Sequence, residues 1–253
     1  MSKNYMTMIG TVGTGIWISG DGGESWNRCK GMWNETQVFA LTPHPQNPKV
    51  VFAGAHDGIY RSDDGGGTFE PIASPLSGKA IWSVAFDPVQ PDTIFAGSRP
   101  GAVFRSRDGG RKWEQLNAQF APECPNVRFP RVLSMAVDPT DHQVVWAGAE
   151  VDGVRRSLDG GQTWETTGAA VTPGTIGRQL NDPDIHGIAV SGTSPSTVFQ
   201  AITRFASSWV IWASYSTFAP KGPLTLQWAL SGSTTRTSSM LVMKVDRFSR
   251  FLQ

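Results

Sequence analysis

The chain of 253 residues is short of several features, and each shortage excludes a class of protein. Its two cysteines, Cys29 and Cys124, lie in unrelated contexts and are too few for a disulfide framework or a metal site. The 22 basic and 21 acidic residues leave a net charge of +1, so no field of one sign would attract nucleic acid. No apolar run approaches the roughly 18 residues of a membrane span.

The beginning of the chain lacks the pattern of a secretory signal peptide. Residues 1–15 contain one lysine and no long apolar run before their first glycines. We therefore expect a cytoplasmic protein. The sequence contains no motif for a cofactor or a metal, and we expect neither.

Glycine and tryptophan, in contrast, are abundant at 28 and 10 residues, which indicates many tight turns and many large packing anchors. A search for internal repeats finds four copies of one box, Ser-x-Asp-x-Gly-x-(Ser/Thr/Lys)-(Trp/Phe), whose aspartates are 43, 44 and 51 residues apart. The box residues are Ser19, Asp21, Gly23 and Trp26; Ser62, Asp64, Gly66 and Phe69; Ser106, Asp108, Gly110 and Trp113; and Ser157, Asp159, Gly161 and Trp164.

Two further runs repeat between the boxes, one before Asp-Pro and one ending in Ala-Gly, as in residues 82–88 and 93–97. With the two arms of the box hairpin they predict four short strands, A to D, in each unit of ~40–50 residues. No window shows a helical period. The sequence therefore predicts an all-β fold, a β-propeller of four-stranded antiparallel blades. This chain would hold about five blades, either as a closed ring or as part of a propeller of six or seven.

The box is explained by the demands of a tight hairpin turn. Its glycines suit positions of positive φ, and its aspartate can accept hydrogen bonds from the N–H groups of its own turn. The aromatic residue then buries a large area in the core. Four copies in equivalent places indicate turn architecture and not four catalytic or metal sites.

At these residues the chain resembles the Asp-box, or BNR-repeat, propellers. That group includes sialidases, two-propeller xyloglucanases, sortilin-type receptors and the photosystem II assembly-factor family, and the resemblance covers roughly residues 9–202. It implies that the boxes lie at C–D turns, on the face opposite the ligand site. The B–C and D–A connections would then form the site around the central channel. Because unrelated activities share the motif, it indicates the fold and not the function.

The loops so indicated carry charged residues that could bind or cleave a ligand. Glu150, Asp152 and Asp184 are weak catalytic candidates, since paired carboxylates can perform glycoside hydrolysis. The ligand-binding candidates are Arg128, Arg131, Arg178, His56, Asp57, Arg99 and His186.

Sialidase chemistry in particular is disfavoured. Sialidase activity, as the resemblance implies it, would require a tyrosine nucleophile. The tyrosines of this chain are Tyr5, Tyr60 and Tyr215, and Tyr60 occupies a core position of strand C. The nearest match to the family's Arg-Ile-Pro motif, at residues 128–130, follows the third box and does not precede the first.

The repeat fails after about residue 204, which divides the chain into box blades at 1–204 and an atypical tail at 205–253. In one explanation the tail is a degenerate blade plus a closing strand near 241–245, which would supply the strand A that the first blade lacks. In the other, the reading frame shifted near residue 205 and the intact protein has six or seven blades. An unclosed propeller would leave long edge strands exposed.

Three functional hypotheses follow. The leading one is a non-catalytic scaffold that binds a protein or carbohydrate ligand through the loop face opposite the boxes. The alternative is a glycoside hydrolase that uses the loop carboxylates. The third is a truncated remnant without activity of its own.

Overall fold

A computed structural model of the chain describes residues 6–123, 128–167, 184–192, 198–203, 212–216 and 241–245. Within these ranges the regular elements are strands. None of the described residues forms a helix long and apolar enough to cross a membrane.

Within the described residues, nineteen strands form five antiparallel sheets. They are β1 (Met6–Gly10), β2 (Ile16–Ser19), β3 (Asn27–Arg28), β4 (Val38–Pro43), β5 (Val51–Ala55), β6 (Gly58–Ser62), β7 (Glu70–Pro71), β8 (Ala80–Phe86), β9 (Ile94–Arg99), β10 (Val103–Ser106), β11 (Glu114–Gln115), β12 (Val132–Val137), β13 (Val145–Ala149), β14 (Gly153–Ser157), β15 (Glu165–Thr167), β16 (Asp184–Val190), β17 (Val198–Thr203), β18 (Trp212–Ser216) and β19 (Leu241–Val245).

Three of the sheets are complete meanders in the predicted order A, B, C, D. The second, third and fourth blades are β4–β7, β8–β11 and β12–β15, and a fifth sheet has the three strands β16–β18. The first strands of successive blades lie side by side, in the order β19, β4, β8, β12 and β16. This arrangement of inner strands is a β-propeller, and the predicted fold class is confirmed.

The first blade takes its inner strand from the far end of the chain. Strand β19 pairs antiparallel with β1, with Met6 opposite Val245 and Gly10 opposite Leu241. The sheet order is therefore β19-β1-β2-β3. This is the pairing that the closing-strand explanation of the tail requires, and it covers the edge that β1 would otherwise expose.

The Ala-Gly strand ends of the repeat bring neighbouring blades close together. A Cβ atom on Gly54 would lie 2.5 Å from the carbonyl oxygen of Ile81, and one on Gly97 would lie 2.6 Å from Val132 Cγ1. Gly10 faces Val38 and Gly148 faces Ile185 in the same way. Glycine is needed here because the next blade's inner strand passes through the space that a side chain would fill.

The core lies between the blades. One cluster of buried side chains joins the second and third blades and includes Phe52, Ile81 and Phe104, and two similar clusters join the first and second blades and the third and fourth. The box aromatics Phe69 and Trp113 are 0% and 7% exposed, as the repeat predicts, whereas Trp26 and Trp164 are half-buried. Such burial of aromatic and aliphatic area supplies the main stabilisation of the fold.

The fifth sheet retains a trace of a fifth box. Val198 pairs with Ser216 just as Val51 pairs with Ser62 and Val145 with Ser157, so Ser216 occupies the position of a box serine. The residues that follow, Thr-Phe-Ala-Pro, lack the aspartate and both glycines. The third strand of this sheet is Trp212–Ser216.

Candidate functional site

The four boxes form C–D hairpins at one end of the propeller, here called the box face. In the first, Ser19 Oγ donates to Asp21 Oδ1 at 2.7 Å and accepts from the backbone N–H of Gly23 at 2.8 Å. The same pair of bonds recurs at Ser62, Ser106 and Ser157. The box carboxylates therefore hold their own turns together.

Hydrogen bonds within each turn also stabilise the ionised form of its aspartate. The hydroxyl of Thr163 and then its backbone N–H lower the pKa of Asp159 to about 2. Bonds from Ser25 hold the pKa of Asp21 well below its usual range, and backbone N–H groups of Thr68 and Lys112 lower those of Asp64 and Asp108. Since these donors occupy the carboxylates, the boxes have the chemistry of turns.

The opposite end, here called the loop face, carries the B–C and D–A connections, because strands of a meander alternate in direction. Four inner strands share one irregularity near this end. Each of these strands has one residue that is skipped in the pairing with its neighbour. The skipped residues are Phe39 in β4, Trp82 in β8, Leu133 in β12 and His186 in β16. A β-bulge re-aims its extra side chain, so the same position in four blades is turned out of the sheet.

Two of these bulged residues meet across the blade boundary. The rings of Phe39 and Trp82 stack with centroids 4.0 Å apart and planes 6° from parallel. The guanidinium carbon of Arg131 lies 4.4 Å from the Trp82 centroid. Because Phe39 occupies one face of the indole, Arg131 must lie on the other. Trp82 is thus enclosed on both faces, and its buried Nε1–H has no hydrogen-bond partner among the described residues.

Arg131 is held in place by Glu150. Its Nε and Nη2 atoms donate to the two oxygens of the Glu150 carboxylate, a bidentate geometry. The backbone N–H of Glu150 donates to the Arg131 carbonyl at 2.8 Å. The carboxylate side chain is 4% exposed and that of Arg131 is 26% exposed. Glu150 therefore positions the arginine that covers Trp82.

Asp152 has a different partner. Its Oδ2 atom accepts from Arg155 Nη2 at 2.8 Å and from the backbone N–H of Ala121 at 2.9 Å. Arg155 also donates to the carbonyl of Gln119 at 3.0 Å and lies 5.4 Å from the ring centroid of Phe120. Asp152 therefore anchors the D–A connection of the third blade.

His56 and Asp57 form the B–C turn of the second blade. His56 Nδ1 accepts from the backbone N–H of Gln37 at 3.3 Å and lies 3.8 Å from Asp57 Oδ1. Asp57 Oδ2 accepts from the hydroxyl of Tyr60 at 2.9 Å. Burial and this bond raise the pKa of Tyr60 to about 12, and the residue is 4% exposed. Tyr60 therefore lies in the core, as the sequence predicted.

The remaining candidates are scattered. Arg99 ends β9, and exposed Arg128 has a positive φ of 63° and lies over the ring of Phe129. Asp184 is the first residue of β16, and Arg178 lies outside the described residues. The structure brings Arg131 together with Glu150, and His56 with Asp57, but it gives Asp152 a separate arginine.

The candidates predicted from the sequence do not include Phe39, Trp82, Leu133 or Trp33. The first three occupy one aligned position in strand A, together with His186, and that alignment was the available signal. Trp33 lies in a D–A connection and is 80% exposed, which is unusual for a tryptophan. A large aromatic residue in a polar loop was its signal. A search for three or more grouped His, Cys, Asp or Glu side chains finds no metal site among the described residues.

The family follows from a comparison of the repeats with known families. The model described as "Sortilin-Vps10: Sortilin, neurotensin receptor 3" matches residues 14–99 and 57–173, which together are more than half of the chain. The chain belongs to the Sortilin-Vps10 family. This family is one of the Asp-box propellers that the sequence resembled. A comparison with curated protein sequences finds no match for this Sortilin-Vps10 chain.

Solved structures resemble this Sortilin-Vps10 chain in fold. An ancestral GH74 enzyme is 22% identical with a TM-score of 0.64, over 83% of this chain and 28% of the other. The GH74 xyloglucanase from Xanthomonas campestris is 17% identical with a TM-score of 0.59, over 82% and 34%. The extracellular domain of the hybrid two component system BT4673 from B. thetaiotaomicron is 13% identical with a TM-score of 0.60, over 87% and 27%. The chain thus spans about a third or less of these structures.

Proposed function

We propose that the chain is a non-catalytic binding scaffold that takes a protein or carbohydrate ligand at its loop face, around the mouth of the channel between the inner strands. The observation that supports this proposal is the shared bulge. One position in each of four blades is re-aimed near the same end of the propeller, and it carries Phe39, Trp82, Leu133 and His186. Bulges of this kind are common beside functional sites.

The chemistry at the bulges suits recognition. Aromatic, aliphatic and imidazole groups share the channel mouth, and His186 is exposed there. The Phe39–Trp82–Arg131 stack is rigid because Trp82 is packed between the other two side chains. A rigid surface loses little conformational entropy when a ligand binds.

The engagement of the carboxylates favours binding over hydrolysis. Glu150 is occupied by the fork of Arg131, and Asp152 by Arg155 and a backbone N–H. Each carboxylate is thus directed at an arginine of this chain, whereas a catalytic acid must reach the bond that it protonates. In this proposal both carboxylates have a positioning role.

The experiment compares two loop-face variants with one box-face control. Purified wild-type chain, Leu133→Ala, His186→Ala and the control Leu158→Ala are used as baits against native cell extract and against a glycan array. Leu158 is 57% exposed in the fourth box, on the opposite face. We expect a protein or glycan that binds the wild type and Leu158→Ala but not the channel variants. Ligands equally retained by all four baits would refute the proposal.

The glycoside hydrolase is the competing hypothesis, and a separate assay tests it. It predicts turnover of a panel of chromogenic glycosides that disappears in Glu150→Gln or Asp152→Asn. The binding proposal predicts no turnover by the wild type above that of these two variants.

A further inference from the structure

Trp33 is an exposed residue on a turn that is held by hydrogen bonds. The turn at residues 33–36 is closed by a hydrogen bond from the Thr36 N–H to the Trp33 carbonyl at 3.2 Å. Trp33 is 80% exposed, which is the highest value among the large hydrophobic residues that are exposed in the described part of the chain. The backbone beneath this exposed residue is held by hydrogen bonds.

Arg28 fixes that backbone. Its Nη2 atom donates to the carbonyls of Trp33 at 2.7 Å and Met32 at 3.2 Å, its Nε donates to the carbonyl of Thr14 at 2.9 Å, and its Nη1 donates to Asn34 Oδ1. One guanidinium therefore ties together the B–C turn and the D–A connection of the first blade. Because the fold already orders this turn, little additional conformational entropy of the protein is lost when a ligand binds there.

An open cavity of about 680 Å³ lies along the same turn, lined by Gly31, Met32, Trp33, Asn34 and Glu35. Because Asn34 Oδ1 accepts from Arg28, its amide N–H groups remain available as donors. The Glu35 carboxylate is exposed and makes no hydrogen bond or ion pair within the described residues. The turn thus offers an open aromatic face, a donor and an acceptor beside a cavity of ligand size.

We propose that the turn at residues 31–35 is a binding subsite for a neutral oligosaccharide. A pyranose has an apolar face of C–H groups, which packs on an aromatic ring, and a rim of hydroxyl groups that both donate and accept. The Trp33 face, the Asn34 amide and the Glu35 carboxylate match these two requirements. This inference rests on the proposed function for the use of the loop face, and it specifies the ligand.

Other ligand classes fit less well. An anion would be repelled by Glu35, and Arg28 is occupied by four acceptors. A quaternary ammonium group is usually enclosed by several aromatic rings, whereas the described lining of this cavity contains one. Trp82 does not offer a comparable platform, because Phe39 and Arg131 already cover its two faces.

The test measures oligosaccharide binding by the full chain. Soluble hexasaccharides of β-1,4-glucose, β-1,3-glucose, β-1,4-xylose, β-1,4-N-acetylglucosamine and α-1,4-glucose are titrated to millimolar concentration, with saturation-transfer NMR and calorimetry as readouts. The variants are Trp33→Ala, Trp33→Phe and Glu35→Gln, with Leu158→Ala as an exposed apolar control on the box face. Leu133→Ala reports on the channel mouth.

We expect at least one hexasaccharide to bind the wild type, with an affinity that falls about tenfold or more in Trp33→Ala and by less in Trp33→Phe. Glu35→Gln should retain most of the affinity, because a neutral amide still accepts a hydroxyl hydrogen bond, whereas a cationic ligand would lose its counter-charge. Leu158→Ala should bind as the wild type does.

The proposal is overturned if no hexasaccharide binds the wild type, or if binding survives Trp33→Ala. Binding that is lost in Leu133→Ala but not in Trp33→Ala would overturn this subsite and leave the proposed function in place. Binding that is lost in Trp33→Ala but not in Leu133→Ala would support the subsite and count against the channel mouth.

Discussion

The guanidinium carbon of Arg131 lies 4.4 Å from the centroid of the Trp82 ring. The contact joins the third and fourth blades at the loop face. Both carboxylate oxygens of Glu150 accept hydrogen bonds from the same arginine. A cation over an indole is worth about 0.5–2 kcal/mol, depending on how far it is removed from water. The stacked groups therefore contribute to the packing of adjacent blades as well as to the surface of the loop face.

Replacement of Arg131 by methionine should destabilise the chain by about 3 kcal/mol, because the Glu150 carboxylate would remain buried without its partner. Urea denaturation measures the free energy of unfolding. The double variant Arg131→Met, Glu150→Met should recover a large part of the loss, since neither charge remains. If Arg131→Met were as stable as the wild type, the pair would not hold this part of the structure.

The close approach of the blades can be tested at Gly54. Gly54→Ala would place a methyl group 2.5 Å from the Ile81 carbonyl oxygen, a backbone atom that cannot turn aside. We expect a loss of about 1–3 kcal/mol from overpacking. Gly20→Ala is the matched control, because a Cβ there meets nothing within 4 Å. Thermal denaturation of both variants should show a lowered midpoint for Gly54→Ala and a midpoint near that of the wild type for Gly20→Ala.

The blade order and the strand registers were predictable because each blade carries its own local signals. A box serine such as Ser106 marks the end of strand C, and the Ala-Gly pair at Gly97 marks strand B on the blade boundary. These signals act within about 40–50 residues and do not depend on the rest of the chain.

The channel mouth was harder to predict. Trp82 lies in an apolar run, Ile-Trp-Ser-Val-Ala-Phe, whose side chains pack on both faces of the sheet. The alternation of apolar and polar residues in this run therefore does not reveal which residue bulges. The pairing of Arg131 with Glu150 and of Arg155 with Asp152 depends on loop conformations, and the charges alone allowed other partners. The candidate list therefore named residues of these loops but not the contacts that they make.

The box aspartates predict how stability depends on pH. The pKa of Asp159 is about 2 in the folded chain and about 3.9 when unfolded, so its contribution is fully present above about pH 4 and is lost as the pH falls towards 2. Asp159→Asn should therefore differ most from the wild type at neutral pH, and the difference should shrink between pH 4 and 2. Urea unfolding at a series of pH values measures this.

A matched control for that measurement is Glu70→Gln, since Glu70 is exposed in β7 and lies outside the boxes. Its difference from the wild type should stay small at every pH. A constant difference between Asp159→Asn and the wild type from pH 6 to 2 would contradict the role given to the Thr163 hydrogen bonds. Asp21, Asp64 and Asp108 have lowered pKa values as well, so the variant should still lose stability in acid.

The tail offers the strongest test of ring closure. A chain truncated after residue 240 would lack β19, and the five residues of β1 from Met6 to Gly10 would lose their partner on the inner side of the blade. Unpaired strand edges lower stability and recruit other chains. We expect a lower thermal midpoint and association that rises with concentration, measured by light scattering after size-exclusion chromatography. A matched variant that keeps β19 and ends after residue 245 should remain as stable as the full chain. If both truncated chains behaved alike, β19 would not close the first blade, and an additional blade from a longer protein would be the better explanation of the tail.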